Sequence, residues 1–250
     1  MKKNICALVA YEGTRYLGWQ KTIAGLSIQQ ALEDALAILL KQETPTEAAS
    51  RTDAGVHAHG QVVNFFVDPE INLRKILRGL NALLPDDIVV RSLEEAKQSF
   101  HPTLDAKAKE YHYEIVCNSS QSPFLRDFSW HYPQELSLLA MQQAARQFIG
   151  IHNFSSFCNE IKEQDKDPIC HIHDLLVEET SLGQIKIRVT GNRFLYKMVR
   201  NLVGTLVYVG CGKLQALDIP NILKAKDRTL AGMTAPAKGL FLHKAYYDLS

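Results

Sequence analysis

The chain has 250 residues, of which 46% are hydrophobic and 22% are charged. This is a globular composition, sufficient for one large domain or two smaller lobes. The formal net charge is +1, which excludes attraction of nucleic acid by overall charge, so a nucleic-acid surface would require clustered basic residues.

The sequence predicts a cytoplasmic protein without a membrane segment. The start, "MKKNICALVAYEG", has only six apolar residues before Tyr11, which is too short for a signal-peptide core. The longest apolar stretch, 202–211, is interrupted by glycine and is half a membrane span. Five scattered cysteines without a C-x-x-C pair indicate reduced thiols.

The first part of the chain alternates predicted strands and helices. "NICALVAY" is typical of a buried strand, and a helix follows that Ser27 caps, with Gln30 completing a capping box. "GQVVNFFV" predicts the next strand. Asn72 opens a second helix, Pro85 stops it, and "DIVVRSLEEA" predicts a short strand.

The pattern breaks around "SFHPTLDAKAK" and then resumes. "KEYHYEIVC" predicts a strand, and Leu138 begins a helix that Gly150 ends. "CHIHDLLVEE" and "GQIKIRVTG" predict a hairpin. A long helix is expected over 194–209, followed by a last strand, "GLFLHKAYY".

A strand–helix–strand–helix–strand order therefore occurs twice, which predicts two related α+β lobes, 1–104 and 105–250. Two such lobes commonly enclose a cleft, and clefts hold chemistry.

The helix expected over 194–209 carries cations on one side. On a helical wheel Lys197 and Arg200 fall within about 40° of Arg193, as does Gly204, opposite a row of apolar residues. Such a stripe is either a solvated face or a row of partners for phosphates and carboxylates. Gly204 would leave room for a backbone to approach closely.

The stretch "SRTDAGVHAH" permits three interpretations. It could be a polar turn without chemistry, or a metal site with His57 and His59 as ligands. Asp53 could instead be a single catalytic carboxylate held by a cation. A second cluster of histidines and cysteines, between His152 and His173, matches no common zinc spacing.

Two tyrosines share one face of a predicted strand, because Tyr111 and Tyr113 are two residues apart, whereas His112 lies on the other face. Such tyrosines are usually packed across strands. At the edge of a cleft a tyrosine can also stack on a flat ring.

These motifs together resemble those of the tRNA pseudouridine synthase A (TruA) family over nearly the whole chain. "RTDAGVHA" resembles the family's catalytic loop and "YEGTRYLGWQ" its first loop. "AKEYHY" is similar to its tyrosine motif, "NRFLYKMVRNLVGTL" to its basic-helix motif and "APAKGLFL" to its last motif. One departure is Ser50, where many members have glycine.

The resemblance implies an enzyme that isomerises uridine to pseudouridine at positions 38, 39 and 40 of the tRNA anticodon stem-loop. It implies the pseudouridine synthase fold: two similar lobes with a mixed, mainly antiparallel sheet, joined across a central cleft, with helices on the outer face. It also implies no metal, no organic cofactor, and a homodimer with tRNA across both subunits.

The resemblance assigns roles to individual residues. Asp53 would be the reactive carboxylate, Arg200 the cation that keeps it ionised, and Tyr111 the ring that stacks on the target uracil. Arg51 would help displace the base, and Leu240 would pack against it. The candidate phosphate contacts are Arg15, Lys107, Lys109, Arg193, Lys197 and Lys238.

Two other classes of function remain as alternatives. A metal-dependent hydrolase would use His57 and His59, and one bound zinc per chain would favour it. A non-catalytic RNA-binding module would use only the basic surface, and an activity assay would distinguish it from an enzyme.

Overall fold

The structure is a computed structural model that describes residues 1–159 and 167–247. These residues form two compact units. One contains Met1–Lys107 together with the segment that begins at Phe241, and the other is Ala108–Leu240. The sequence predicts a boundary between residues 104 and 105 and places the last strand in the second lobe, whereas that strand lies mostly in the first unit.

The first unit is an α+β structure built on a mainly antiparallel sheet. Its elements are β1 (Lys3–Tyr11), α1 (Ile28–Leu40), β2 (Glu47–Ala48), β3 (His57–Val67), α2 (Leu73–Leu83), β4 (Ile88–Glu95) and most of β10 (Leu240–Tyr246). The strand order is β4-β1-β3-β10, with the short β2 also paired to β3. Among these strand pairs of the described residues, only β3 and β10 run parallel to each other, and the other pairs are antiparallel.

Helix starts in the first unit follow the sequence signals. The Ser27 hydroxyl accepts a hydrogen bond from Gln30 N–H at 3.2 Å, and the Asn72 amide oxygen accepts one from Lys75 N–H at 3.1 Å. Each bond satisfies one backbone donor that the first helical turn leaves unpaired. Leu32 and Leu36 of α1 are fully buried, one helical turn apart.

The second unit is also α+β, with helices packed on an antiparallel sheet. Its elements are β5 (Ala108–Val116), β6 (Trp130–His131), α3 (Leu138–Arg146), β7 (Gly150–Asn153), β8 (Ile169–Ser181), β9 (Gln184–Gly191), α4 (Met198–Gly210) and α5 (Ile219–Ala225). The order is β5-β9-β8-β7, and β6 adds to β5 in parallel. The predicted β8–β9 hairpin is confirmed, and its turn has Gly183 at φ +73°.

The described residues contain no helix that is both long and apolar enough to cross a membrane.

The elements and strand pairs of both units confirm the predicted α+β class with a mainly antiparallel sheet. The helix expected over 194–209 is wrong at its start, because α4 begins only at Met198.

Candidate functional site

The segment carrying Asp53 is a tight turn that leads into β3. Val56 N–H donates to the Asp53 carbonyl oxygen at 3.1 Å, and Gly55 has a φ of +77°, a conformation that costs little only for glycine. Thr52 and Val56 are buried, Asp53 is half-buried, and Arg51 is exposed. The turn thus anchors its flanks and presents Asp53 and Arg51 at its surface.

The loop after β1 encloses this turn with backbone and side-chain bonds. Trp19 N–H donates to the Thr52 carbonyl at 3.1 Å, and Gly55 N–H donates to the Tyr16 carbonyl at 3.3 Å. The Tyr11 hydroxyl lies 2.8 Å from the Thr52 hydroxyl in a buried hydrogen bond. Bonds on both sides of Asp53 therefore fix the turn's backbone.

Two glycines of this loop fit against the turn. A Cβ atom on Gly18, whose φ is +91°, would lie 2.5 Å from the Thr52 carbonyl oxygen, and one on Gly13 would overlap the Val56 carbonyl. Backbone atoms cannot give way as a side chain can, so both positions require the smallest residue. The glycines of "YEGTRYLGWQ" are thus explained by contact with "RTDAGVHA".

The two histidines after the turn lie beside an aromatic side chain of the same unit. His57 is buried, and its Nδ1 accepts a hydrogen bond from Gly13 N–H at 3.0 Å. The rings of His57 and His59 stack on Phe241 at centroid distances of 4.7 and 5.0 Å. His57 thereby ties the first loop to β3.

Two further polar residues in the first unit hold loops and were missed from the sequence. Gln61, fully buried, accepts from Ser50 N–H at 3.2 Å and donates to the Ser50 carbonyl at 2.6 Å. Asp87 accepts from Arg15 Nε at 2.9 Å and from the Tyr16 hydroxyl at 2.5 Å. Gln61 could have been found from the sequence, because it is a polar residue within an otherwise apolar predicted strand.

In the second unit the strand β5 carries the predicted tyrosines. Tyr111 and Tyr113 are both buried, and the Tyr111 ring meets Phe194 edge to face at 5.1 Å between centroids. Glu110 and His112 alternate with them and bond to each other at 2.6 Å. The tyrosine face of β5 is therefore aromatic, and the acid and imidazole satisfy each other on the opposite face.

Arg200 and Tyr113 both hold the segment that precedes β10. Arg200 Nε donates to the Ala235 carbonyl at 2.7 Å, and the Tyr113 hydroxyl donates to the Pro236 carbonyl at 2.8 Å. Burial raises the pKa of Tyr113, and the positive charge of Arg200 opposes that rise. Arg200 therefore lies close to Tyr113 and is fixed in orientation through its Nε.

The predicted cation stripe does not exist as a helix face. Arg193 lies in the connection between β9 and α4, and Lys197 is the N-cap residue of α4 with a φ of +59°. Only Arg200 of the three is inside the helix. A left-handed residue immediately before α4 breaks the helical register, so the wheel placed Arg193 and Lys197 incorrectly.

A polar network clamps residues 228–235 onto α4. Arg228 donates to the Asn201 amide oxygen at 2.9 Å and to the Thr234 hydroxyl at 3.1 Å. Gly232 N–H donates to the Thr205 hydroxyl at 2.9 Å. Asn201 and Thr205 are fully buried polar residues one turn apart in an apolar helix. Two polar residues at this spacing in an apolar helix are a sequence signal of such a network.

The last motif supplies two further candidate residues. Leu240 is buried, directly after a turn of 3₁₀ helix formed by 237–239. The Lys238 ammonium donates to the Arg126 carbonyl at 2.7 Å. A Cβ on Gly239 would lie 2.7 Å from the Tyr113 ring, so this motif packs against the tyrosine strand.

Comparison with known proteins defines the class. The family model for tRNA pseudouridine synthase matches residues 7–105 and 144–248. The chain is 47% identical over 247 residues to tRNA pseudouridine synthase A 2 of Protochlamydia amoebophila, covering 98% of this chain and 94% of that one. Identity to tRNA pseudouridine synthase A of Ruminiclostridium cellulolyticum is 41% over 245 residues, covering 98% of this chain and all of the relative.

The fold and the matched sequence thus define an enzyme of the isomerase class that acts on uridine in tRNA. More particularly, the chain belongs to the tRNA pseudouridine synthase A family. Membership confirms the resemblance of the five motifs and selects an isomerase over the metal-dependent hydrolase and the non-catalytic module.

Proposed function

We propose that this enzyme forms pseudouridine at positions 38, 39 and 40 of the tRNA anticodon stem-loop, with Asp53 as the reacting carboxylate. The observation that carries the proposal is the turn 51–56. Its backbone is fixed by Tyr11, Tyr16 and Trp19, while Asp53 is half-buried at its surface. A catalytic group held on a rigid turn needs little reorganisation when substrate arrives.

The reaction exchanges one bond of ribose for another. The bond from C1′ to N1 of uracil breaks, the bond from C1′ to C5 forms, a proton leaves C5, and N1 gains a proton. Atoms and electrons balance, so the reaction needs no redox partner. Asp53 either attacks C1′ or removes a ribose proton to give a glycal.

Arg200 and Tyr111 complete the proposed chemistry. Arg200 pairs its positive charge with the Asp53 carboxylate, since a planar guanidinium can hold a carboxylate through two hydrogen bonds. Its bond to Ala235 fixes the direction of the planar guanidinium. Tyr111 stacks on the target uracil, as its place on the aromatic face of β5 supports.

Binding requires the target nucleotide to leave its stem, at a cost of a few kcal/mol. We propose that Arg51 displaces the base, that Leu240 packs against it, and that Arg15, Arg193 and Lys197 contact phosphates. Stacking returns about 1–3 kcal/mol per base. The proposal includes a homodimer that binds tRNA across both subunits in the cytoplasm, and sedimentation at several concentrations tests that state.

The experiment uses tRNA transcripts that keep a single uridine at 38, 39 or 40, with cytidine at the other two positions. We expect release of tritium from C5-labelled uridine in each of the three, and none when all three are cytidine. Asp53→Asn should abolish release while tRNA affinity stays within about twofold. The exposed Asp68→Asn is the matched control and should be fully active. Turnover by Asp53→Asn would remove Asp53 from the mechanism.

A further inference from the structure

Lys109 is a partly buried lysine whose ammonium has no hydrogen bond or ion pair with any residue of the described ranges. Its pKa is lowered to about 8, chiefly by burial and in addition by repulsion from the Arg193 guanidinium. Removing an ammonium from water is unfavourable unless an opposite charge compensates. Here the neighbouring charge has the same sign, so the described residues leave the lysine uncompensated.

The lysine lies beside the aromatic face of β5. Lys109 is two residues before Tyr111, so both side chains leave the same side of the strand, about 7 Å apart. Across the ladder Lys109 pairs with Gly191 of β9. A Cβ on Gly191 would lie 3.2 Å from the Phe194 ring, the same ring that meets Tyr111. Lys109 thus lies on the strand face that carries Tyr111, opposite the end of β9, from which the chain continues to Phe194.

The acidic neighbours on this strand are already committed elsewhere. Glu110 is bonded to His112 on the opposite face of β5, and Glu114 pairs with Lys186 at 3.0 Å. Neither Glu110 nor Glu114 is among the groups that shift the Lys109 pKa, where Arg193 is the charged neighbour. The missing counter-charge must therefore come from outside the described residues.

We propose that Lys109 and Arg193 together bind one phosphodiester of the RNA backbone, next to the nucleotide that Tyr111 receives. The proposal rests on the proposed function, because it assigns the anion to tRNA. Lysine supplies a compact charge and arginine a planar fork, a combination suited to the two non-bridging oxygens of one phosphate.

The pH dependence of binding follows from the sign of the shift. A phosphate beside Lys109 raises its pKa in the complex above the value near 8 of the free protein. Binding then takes up a proton when the free lysine is neutral. The full contribution to affinity is present below about pH 8 and is lost as pH rises through the pKa of the complex.

The test measures equilibrium tRNA binding in the Asp53→Asn background, across pH 6.5–9.5 and a salt series. Lys109→Met should bind about tenfold more weakly at pH 7. Its plot of log affinity against log salt should be shallower by about 0.7 to 0.9. Lys109→Arg should keep the affinity and lose the decline above pH 8, because arginine stays charged.

Two controls separate an RNA contact from a structural role. Without RNA, Lys109→Met should melt at the same temperature as its parent or higher, since it removes an uncompensated charge. Lys186→Met, which removes a lysine already paired with Glu114, should leave the salt slope unchanged. A lower melting temperature for Lys109→Met, or an unchanged affinity and salt slope, would overturn the proposal.

The wild-type enzyme is assayed in parallel on the same tRNA. If it forms no pseudouridine there, the proposed function fails whatever Lys109 does. If it does form pseudouridine and Lys109→Met binds as its parent does, only the phosphate site fails.

Discussion

Tyr111 combines a buried aromatic ring with a hydroxyl at one position. The ring packs edge to face on Phe194, a contact that phenylalanine can also make and leucine cannot. We expect Tyr111→Phe to keep tRNA affinity and Tyr111→Leu to lose about tenfold, the equivalent of one stacked base. Binding measurements on both variants check this, and single-turnover rates then show whether the hydroxyl moves a proton. Normal affinity and rate in both would mean that Tyr111 only packs.

Arg200 should affect chemistry more than binding. In Arg200→Ala, Asp53 loses its proposed cation and the bond to Ala235 is lost, so the single-turnover rate at saturating tRNA should fall by about 100-fold or more. Arg200→Lys keeps a positive charge but lacks the planar guanidinium, so its single-turnover rate should fall less than that of Arg200→Ala. Rates and affinities are measured for both variants.

Lys197→Ala provides the comparison for Arg200. Lys197 precedes the helix and has its ammonium 4.8 Å from the centre of the Tyr196 ring. We expect Lys197→Ala to bind tRNA more weakly and with a smaller dependence on salt concentration, while its single-turnover rate at saturating tRNA is unchanged. An Arg200→Ala variant that behaves in the same way would make Arg200 an ordinary phosphate contact and refute its pairing with Asp53.

At the scale of elements, helix α4 and the segment clamped onto it depend on Gly204. A Cβ at this position would overlap the Met233 carbonyl, whereas a Cβ on Gly210 would meet the flexible end of Met141 at 2.9 Å. Alanine favours a helix over glycine by about 0.5–1 kcal/mol at either site. The difference between the two sites therefore reports the contact with the segment.

We expect Gly204→Ala to lower the free energy of unfolding by about 2–3 kcal/mol, and Gly210→Ala to change it by less than about 1 kcal/mol. Urea denaturation followed by circular dichroism measures both. Equal stability of the two variants would show that the 228–235 segment does not need close approach to α4. Because Arg200 binds Ala235, Gly204→Ala should also reduce the rate.

The sequence predicted strands and helix starts correctly where they depend on residues that are close together in the chain. Alternating apolar residues marked the strands, and the Ser27 and Asn72 caps marked helix starts, because these depend on neighbours in sequence. The start of α4 was missed because "NRFLYK" has helical spacing of its apolar residues. Its last residue, Lys197, is nevertheless left-handed, and tertiary contacts such as that of Phe194 with Tyr111 override the pattern.

For the whole molecule, the resemblance of five motifs predicted the family and the fold class, whereas the residues that hold the site were not foreseen. Asp87, Gln61 and Thr234 act through hydrogen bonds to partners distant in sequence. No periodicity encodes such pairs. Family membership does not test the roles of Asp53, Tyr111 and Arg200, so they remain predictions until the variants are measured.

The composition of the first unit has a consequence for synthesis. Its sheet includes Phe241 and Leu242, which pair with His57 and Ala58 at the edge of β3. A ribosome working at about 5–20 residues per second needs roughly seven to twenty-seven seconds to translate the second unit that lies between. During that interval the β3 edge beside the Asp53 turn is uncovered on every growing chain, and chains on one messenger could pair through it.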